Sequence, residues 1–272
     1  MTTPKALPSL AALTLADVPA PLLIGIVAAF GAVIGSFLNV CIYRLPLDKS
    51  IVWPASACPH CGRQLAWYEN IPVVSWIVLR GRCRTCAAPI GVRYPIIEAL
   101  TAAMFGLAWW HYGPGVLLAS RLVFGCVLIV LFAIDLEHQL LPNAITLPGI
   151  VVGVVFSLFT EPGWMASLIG VLVGGGVLYA VAELYYRVRH EEGLGMGDVK
   201  MLAMVGSFLG WKLVLVTLML GSLSGSVIGL LLIASGRGGM KHALPFGTFL
   251  ALGAAAAATA GPSLLHWYLG LM

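Results

Sequence analysis

Long apolar runs separated by short polar connections dominate this chain of 272 residues. A membrane-spanning helix needs about 20 predominantly apolar residues, and the chain holds eight runs of roughly that kind. The predicted spans lie near residues 21–43, 95–112, 116–135, 144–160, 165–187, 199–211, 212–234 and 246–269. The pattern therefore predicts an all-α polytopic membrane protein. Only Gly210-Trp211-Lys212 separates the sixth run from the seventh, and the sixth is short, so 199–234 could instead contain a re-entrant element.

One longer polar segment, residues 44–94, separates the first predicted span from the second. It has few aliphatic residues and reads as a small domain outside the membrane. We therefore divide the chain into an N-terminal segment with the first span (1–43), this small domain (44–94) and a bundle of seven spans (95–272).

The composition supports a membrane protein, since 60% of the residues are hydrophobic and only 10% are charged. Soluble domains average about 25% charged residues. The net charge of +4 is too small to indicate a nucleic-acid partner. Membrane lipid is the partner that the composition predicts.

The positions of Lys and Arg predict the orientation. Twelve of the 15 lie in the 44–94 segment or in alternate later connections, which leaves Lys5, Arg121 and Lys212 for the other side. Because basic residues concentrate on the cytoplasmic side, both termini are expected outside and the 44–94 domain inside.

Small residues recur within the predicted spans at a spacing of four. The sets are Gly31/Gly35, Gly170/Gly174, Gly206/Gly210 and Gly221/Gly225/Gly229. This spacing is typical of close helix contacts in a bundle, which we prefer to any ligand role.

Four cysteines in the polar domain form two matching pairs, Cys58-Pro-His-Cys61 and Cys83-Arg-Thr-Cys86. Two such pairs can close a tetrahedral site of four thiolate ligands with no open position for chemistry, so we predict structural Zn²⁺. The alternatives are two disulfides or four free thiols; a reducing cytoplasm argues against the disulfides. His60 is expected to be a solvated neighbour and not a ligand.

Two aspartates lie at the ends of apolar helices, Asp135 in Ala-Ile-Asp-Leu and Asp198 in Gly195-Met-Gly-Asp. Carboxylates at membrane depth are costly and usually functional. Asp135 could instead be a solvated carboxylate at a helix end, and nearby Lys200 could simply neutralise Asp198. If the fold brings the pair together, one ionised and one protonated carboxyl could act as base and acid on water.

Other readings of the aspartates stay open on these residues alone. A transporter could use both carboxyls to bind a cation or relay protons. A membrane anchor whose zinc domain recruits partners would leave both aspartates without a purpose. No Ser/His/Asp set, HExxH motif, phosphate-binding loop or nucleotide fingerprint is present in the sequence.

The ordered motifs resemble those of the type IV prepilin peptidases, the leader peptidase/N-methyltransferases. The resemblance covers nearly everything after the first twenty residues. Its carriers are Gly35-Ser-Phe-Leu-Asn-Val-Cys-Ile-Tyr-Arg-Leu-Pro46, the paired cysteines around Trp67-Tyr-Glu-Asn-Ile-Pro72, Arg93-Tyr-Pro95 before Glu98, Asp135 with Leu140-Leu-Pro142, Gly195-Met-Gly-Asp-Val-Lys200 and Pro245-Phe-Gly247. The GxGD element alone is shared with other intramembrane aspartyl proteases such as presenilin.

The resemblance implies that Asp135 and Asp198 are a catalytic pair that removes the short basic leader of type IV prepilins or type II secretion pseudopilins. It also implies methyl transfer from S-adenosylmethionine to the new N-terminus, with Gly81 at the place of a family glycine associated with that step. The implied location is the bacterial inner membrane, with the zinc domain and the active site facing the cytoplasm.

Two further details accompany the resemblance. Thr248 departs from the pattern, since many members have a second proline after Pro-Phe-Gly. Acidic residues on the cytoplasmic side could attract a basic leader, or they could form a solvated fringe; they are Asp48, Glu69, Glu137, Glu191 and Glu192.

Overall fold

The computed structural model describes residues 18–191, 194–235 and 244–270, and every element within them is helical. Eight α-helices are present. They are α1 (Ala20–Arg44), α2 (Val74–Val78), α3 (Arg93–Tyr112), α4 (Val116–His138), α5 (Asn143–Ser157), α6 (Trp164–Arg189), α7 (Met196–Ala234) and α8 (Phe246–Leu269). The all-α prediction is confirmed for the described residues. Lys5 and Glu192 lie outside them.

Five of the described helices are long and apolar enough to cross a membrane. They are Ala20–Leu47, Val116–His138, Trp164–Arg189, Met196–Ala234 and Phe246–Tyr268. The predicted runs near 95–112 and 144–160 correspond to α3 and α5. Helix α5 has only 15 residues and spans about 22 Å, less than the thickness of a bilayer core. The protein is therefore a multi-pass membrane protein, while the count of eight crossings is not confirmed.

The 39-residue helix α7 is broken at Gly210, whose φ of 76° and ψ of 171° are not helical. Along its first arm, residues 196–209, α7 runs antiparallel to α6: Gly206 meets Gly170, and Gly174 meets Leu202. Along its second arm, residues 211–234, α7 runs antiparallel to α8: Leu213 meets Gly261.

The chain reverses direction at this break. A straight helix of 39 residues would be about 58 Å long and would separate the start of α7 from the start of α8. Both starts instead lie beside Asp135 at one end of the bundle. The predicted separation at Gly210 is thus a real structural boundary, at which two antiparallel helical arms meet.

Buried serines stabilise the backbone next to the break. The Ser157 hydroxyl of α5 and the Ser167 hydroxyl of α6 donate to the carbonyl oxygen of Ser207, at 3.0 and 2.7 Å. A helix break leaves carbonyl groups without their usual partners, and buried carbonyls need donors. The two hydroxyls supply them and join α5 and α6 to α7.

The first arm of α7 is the centre of the bundle. Every residue from 201 to 210 is buried, because α4, α5 and α6 pack against this arm. A second cluster joins α1, α3 and α4. An apolar helix enclosed on all sides is a core element, so the site residues at its start have a rigid support.

The glycine spacing predicted close helix contact, and the structure confirms it. A Cβ placed on Gly206 would lie only 2.1 Å from the carbonyl oxygen of Gly170, backbone against backbone. A Cβ on Gly31 would lie 2.6 Å from Cβ of Phe105, and one on Gly35 would lie 2.8 Å from Cα of Glu98. These glycines allow α6 to contact α7 and α1 to contact α3.

Candidate active site and cysteine cluster

Asp135 lies in the last turn of α4 and is buried, with 4% of its surface exposed. Its Oδ2 accepts two hydrogen bonds from Thr248, one from the backbone N–H at 2.6 Å and one from the hydroxyl at 3.0 Å. Asp135 is therefore not the solvated helix-end carboxylate of the alternative interpretation. Its position is fixed by a residue 113 positions away.

The contact with Thr248 also caps a helix. Pro245 is the N-cap of α8 and makes no side-chain cap hydrogen bond, and Thr248 is the third residue of that helix. The first turn of a helix has backbone N–H groups without intrahelical acceptors. The Asp135 carboxylate accepts one of them, so a negative charge on Asp135 lies at the positive end of α8.

Asp198 is the third residue of α7, in the first turn. It is half-buried, and its carboxyl group interacts electrostatically with that of Asp135. A Cβ on Gly195 would lie 3.3 Å from its Oδ2, so the glycine lets the backbone fold closely over the carboxylate. The structure therefore brings the two predicted aspartates together: Asp198 lies in the first turn of α7, and Asp135 contacts the first turn of α8.

Leu141 packs between the two segments that carry this site. A Cβ on Gly197 would lie 3.0 Å from Cβ of Leu141, and a Cβ on Gly247 would lie 2.9 Å from its Cδ1. The same Cβ on Gly247 would lie 3.0 Å from Cγ of Asp135. Both glycines are needed because a side chain at either position would separate α7 or α8 from the end of α4.

Ionic contacts around the site correct two sequence interpretations. Lys200 donates to Oδ1 of Asn143 at 2.8 Å, which joins the start of α7 to the start of α5 instead of neutralising Asp198. Glu137, two residues after Asp135, forms an ion pair with Arg93 at the start of α3. Glu137 is therefore not a free member of an acidic fringe.

The four predicted zinc ligands converge in the small domain. The Sγ atoms of Cys58, Cys61, Cys83 and Cys86 all lie within 4.8 Å of one another, and those of Cys58 and Cys86 are 3.8 Å apart. Four sulfurs at about 2.3 Å from a tetrahedral Zn²⁺ are about 3.8 Å apart, so the cluster fits this ion. His60 is exposed and outside the cluster, as predicted.

The two cysteine pairs have the same backbone geometry. In each, the first cysteine donates its N–H to the residue five positions later and accepts from the residue four positions later. That latter residue has positive φ, 69° at Gly62 and 55° at Ala87. Backbone N–H groups of Cys86 and Thr85 lower the pKa of the Cys83 thiol to about 6. These N–H groups thus favour the thiolate form of Cys83, the form that metals bind.

Gly81 lies in a tight turn between α2 and the second cysteine pair. Its φ is 65°, and a Cβ there would lie 2.9 Å from Cζ2 of Trp76. The Trp76 indole N–H donates to the carbonyl oxygen of Ile90 at 3.1 Å, which holds the ring in place. Gly81 therefore has a packing reason to be glycine, while its link to methyl transfer stays a prediction.

Glu69 and Glu98 are buried structural carboxylates. Nη2 of Arg63 lies 2.7 Å from both carboxylate oxygens of Glu69, and this hydrogen bond, with one from the Ala66 N–H, lowers the pKa of Glu69. Glu98 of α3 accepts from the Val73 N–H at 2.7 Å. The expectation that Glu69 belongs to a solvated fringe is wrong; it joins the first cysteine pair to the turn before α2.

Sequence reasoning identified the aspartates and cysteines but missed the contributions of Thr248, Leu141 and Gly247. Thr248 was noted only as a departure from a motif, and Leu141 and Gly247 only as motif members. The hydrogen bonds from Thr248 to Asp135 join residues far apart in the sequence, so the spacing of motifs along the chain did not indicate them.

Comparison with known protein families found two matches in this chain. Residues 29–112 match the model of the bacterial peptidase A24 N-terminal domain, and residues 122–230 match that of the type IV leader peptidase family. No solved structure significantly matches the chain.

Similar proteins include three named prepilin leader peptidase/N-methyltransferase. The one from Myxococcus xanthus is 42% identical over 81% of this chain and 67% of its own length. That from Aeromonas hydrophila is 37% identical over 90% of this chain and 93% of its own length. That from Burkholderia pseudomallei is 35% identical over 89% of this chain and 86% of its own length. With two family models matched in order and relatives this similar over most of its length, the chain belongs to the type IV leader peptidase family.

Proposed function

We propose that this protein cleaves the leader peptide from type IV prepilins or type II secretion pseudopilins and methylates the new N-terminal residue. The observation that carries the proposal is the pairing of buried Asp135 with half-buried Asp198 where α4, α7 and α8 meet. Relatives named for both activities support it over most of the chain.

Asp135 and Asp198 are the proposed catalytic groups of peptide hydrolysis. One ionised carboxylate takes a proton from water, whose oxygen attacks the scissile carbonyl carbon. The other, protonated carboxyl donates its proton to the leaving amine as the C–N bond breaks. Since the two groups interact, their titration belongs to the pair.

The position of the pair suits a substrate with a basic leader and an apolar helix. Both aspartates lie at helix ends, within a turn or so of polar loops, and not at mid-helix. The apolar helix of the pilin would pack against the bundle in the membrane, and its scissile bond would meet the pair at the membrane surface. We place this surface on the cytoplasmic side of the bacterial inner membrane, as the basic residues predict.

We propose that Cys58, Cys61, Cys83 and Cys86 hold a structural Zn²⁺. Four protein ligands leave no coordination position for a substrate, so the ion supplies fold stability to the 44–94 domain. The support is the 3.8 Å separation of the Cys58 and Cys86 sulfurs.

S-Adenosylmethionine is the proposed methyl donor, and it supplies an electrophilic methyl group for the amine that cleavage releases. We assign the step to the zinc domain and keep Gly81 as the residue that the family resemblance connects with it. Because Gly81 packs against Trp76, this role depends on the fold of the turn.

A direct test incubates the purified protein with a synthetic prepilin and S-adenosylmethionine and measures both products by mass. The proposal predicts loss of the leader followed by a gain of about 14 Da on the new N-terminus. Intact substrate, together with ion uptake by vesicles that contain the protein, would instead indicate a transporter that uses the aspartates for cations.

A further inference from the structure

We infer that Thr248 is a positioning residue that holds Asp135 as the ionised base of the pair, and that it extends leader cleavage to lower pH in this chain. The inference rests on the proposed function, because it assigns roles within the proposed catalytic pair.

Both donors of Thr248 bind the same oxygen, Oδ2 of Asp135, at 2.6 and 3.0 Å. Thr248 is itself buried, with 5% of its surface exposed, so water does not compete well for these bonds. The two bonds therefore hold the Asp135 carboxylate in place through this one oxygen.

An ionised carboxylate only accepts hydrogen bonds, and two donors on one oxygen favour that form over the protonated one. The N–H of Thr248 also belongs to the first turn of α8, whose positive end adds to the preference. Asp198 also lies in the first turn of a helix, so the positive helix end alone does not distinguish the pair. The two Thr248 donors do, and they make Asp135 the member suited to begin as base and Asp198 as acid.

Residue types at position 248 differ in the number of hydrogen-bond donors that they offer to Asp135. Serine keeps both donors. Valine keeps the N–H and the shape but loses the hydroxyl, and proline supplies neither donor. The first turn of a helix tolerates proline, so Thr248→Pro can be made without breaking α8.

The test measures kcat and KM for leader cleavage against pH in Thr248→Ser, Thr248→Val and Thr248→Pro. Losing one hydrogen bond to a charged group should lower kcat about tenfold in Thr248→Val, with KM nearly unchanged. The acidic limb of the profile should move to higher pH in Thr248→Val and further in Thr248→Pro, because the ionised base is then less favoured. Thr248→Ser should stay within about twofold of the parent and keep its profile.

Thr259→Val is a matched control on the same helix, since the Thr259 hydroxyl is exposed and bonds only carbonyl groups of α8. It should leave kcat and the pH profile unchanged.

Unshifted profiles in both Thr248→Val and Thr248→Pro would overturn the inference. Equal losses in Thr248→Ser and Thr248→Val would also contradict it, since packing and not hydrogen bonding would then explain them. These outcomes are separate from a failure of the proposed function, which would appear as cleavage by Asp135→Asn.

Discussion

A single methyl group at Gly247 should disable leader cleavage while the fold survives. In Gly247→Ala the new Cβ would lie 2.9 Å from Cδ1 of Leu141 and 3.0 Å from Cγ of Asp135. Carbon atoms normally stay about 3.5–4.0 Å apart, so these groups must move by roughly 0.5–1 Å. The Leu141 side chain can rotate, but the two bonds from Thr248 hold the Asp135 carboxylate.

The expected effect follows from that displacement. A misplacement of about 1 Å in a catalytic site can cost about 100-fold in rate, so kcat for prepilin cleavage should fall about 10- to 100-fold. Overpacking costs about 1–3 kcal/mol, which should lower the thermal unfolding midpoint without preventing assembly. Methyl transfer to a pre-cleaved pilin should be unchanged, because that step is assigned to the 44–94 domain.

The assay measures the initial rate of leader cleavage, with synthetic prepilin and its cleaved product distinguished by mass. Gly176→Ala is the matched control: a Cβ at this exposed position of α6 meets nothing within 4 Å. If Gly247→Ala cleaves at the parent rate with the same KM, leader cleavage does not depend on the position of the Asp135 carboxylate.

The other predictions test the metal, the packing and the topology. The purified protein should contain about one zinc per chain, and Cys58→Ser with Cys83→Ser should remove the metal and weaken methyl transfer before cleavage; a metal-free parent, purified without chelators, would contradict the assignment. Gly206→Ala should lower the thermal unfolding midpoint, because its Cβ would lie 2.1 Å from the Gly170 carbonyl oxygen, and an unchanged midpoint would mean that α6 and α7 are less tightly packed. Reporter fusions within the cysteine-pair domain and just after α4 should read cytoplasmic, whereas fusions just after α3 and α5 should read external; the reverse pattern would overturn the orientation.

Features governed by local pattern were predictable from the sequence. The apolar runs predicted the positions of the helices, and the spacing within each cysteine pair predicted the cluster. Both patterns involve residues that are close together in the sequence. The glycine spacing likewise indicated which helix faces pack closely. Asp198 was predicted at a helix start because it directly precedes the apolar run 199–211.

Features that depend on long-range contacts were not predictable. The bond between Thr248 and Asp135 joins residues 113 positions apart, and nothing in either local sequence indicates the partner. Glu69 looked like a surface acid because its neighbours are polar, yet Arg63 holds it in a buried pair. The reversal at Gly210 left only a short polar gap between two apolar runs, so the sequence located the break without giving its geometry.

The central claim is that Asp135 and Asp198 act as one catalytic unit. The most direct measurement compares prepilin cleavage by Asp135→Asn, Asp198→Asn and the double variant, each with its thermal unfolding midpoint measured. Asparagine keeps the side-chain shape but cannot ionise, so each single variant should lose several orders of magnitude in kcat. The double variant should be little worse than either, and all three should still methylate a pre-cleaved pilin. Cleavage near the parent rate by either folded single variant would contradict the account.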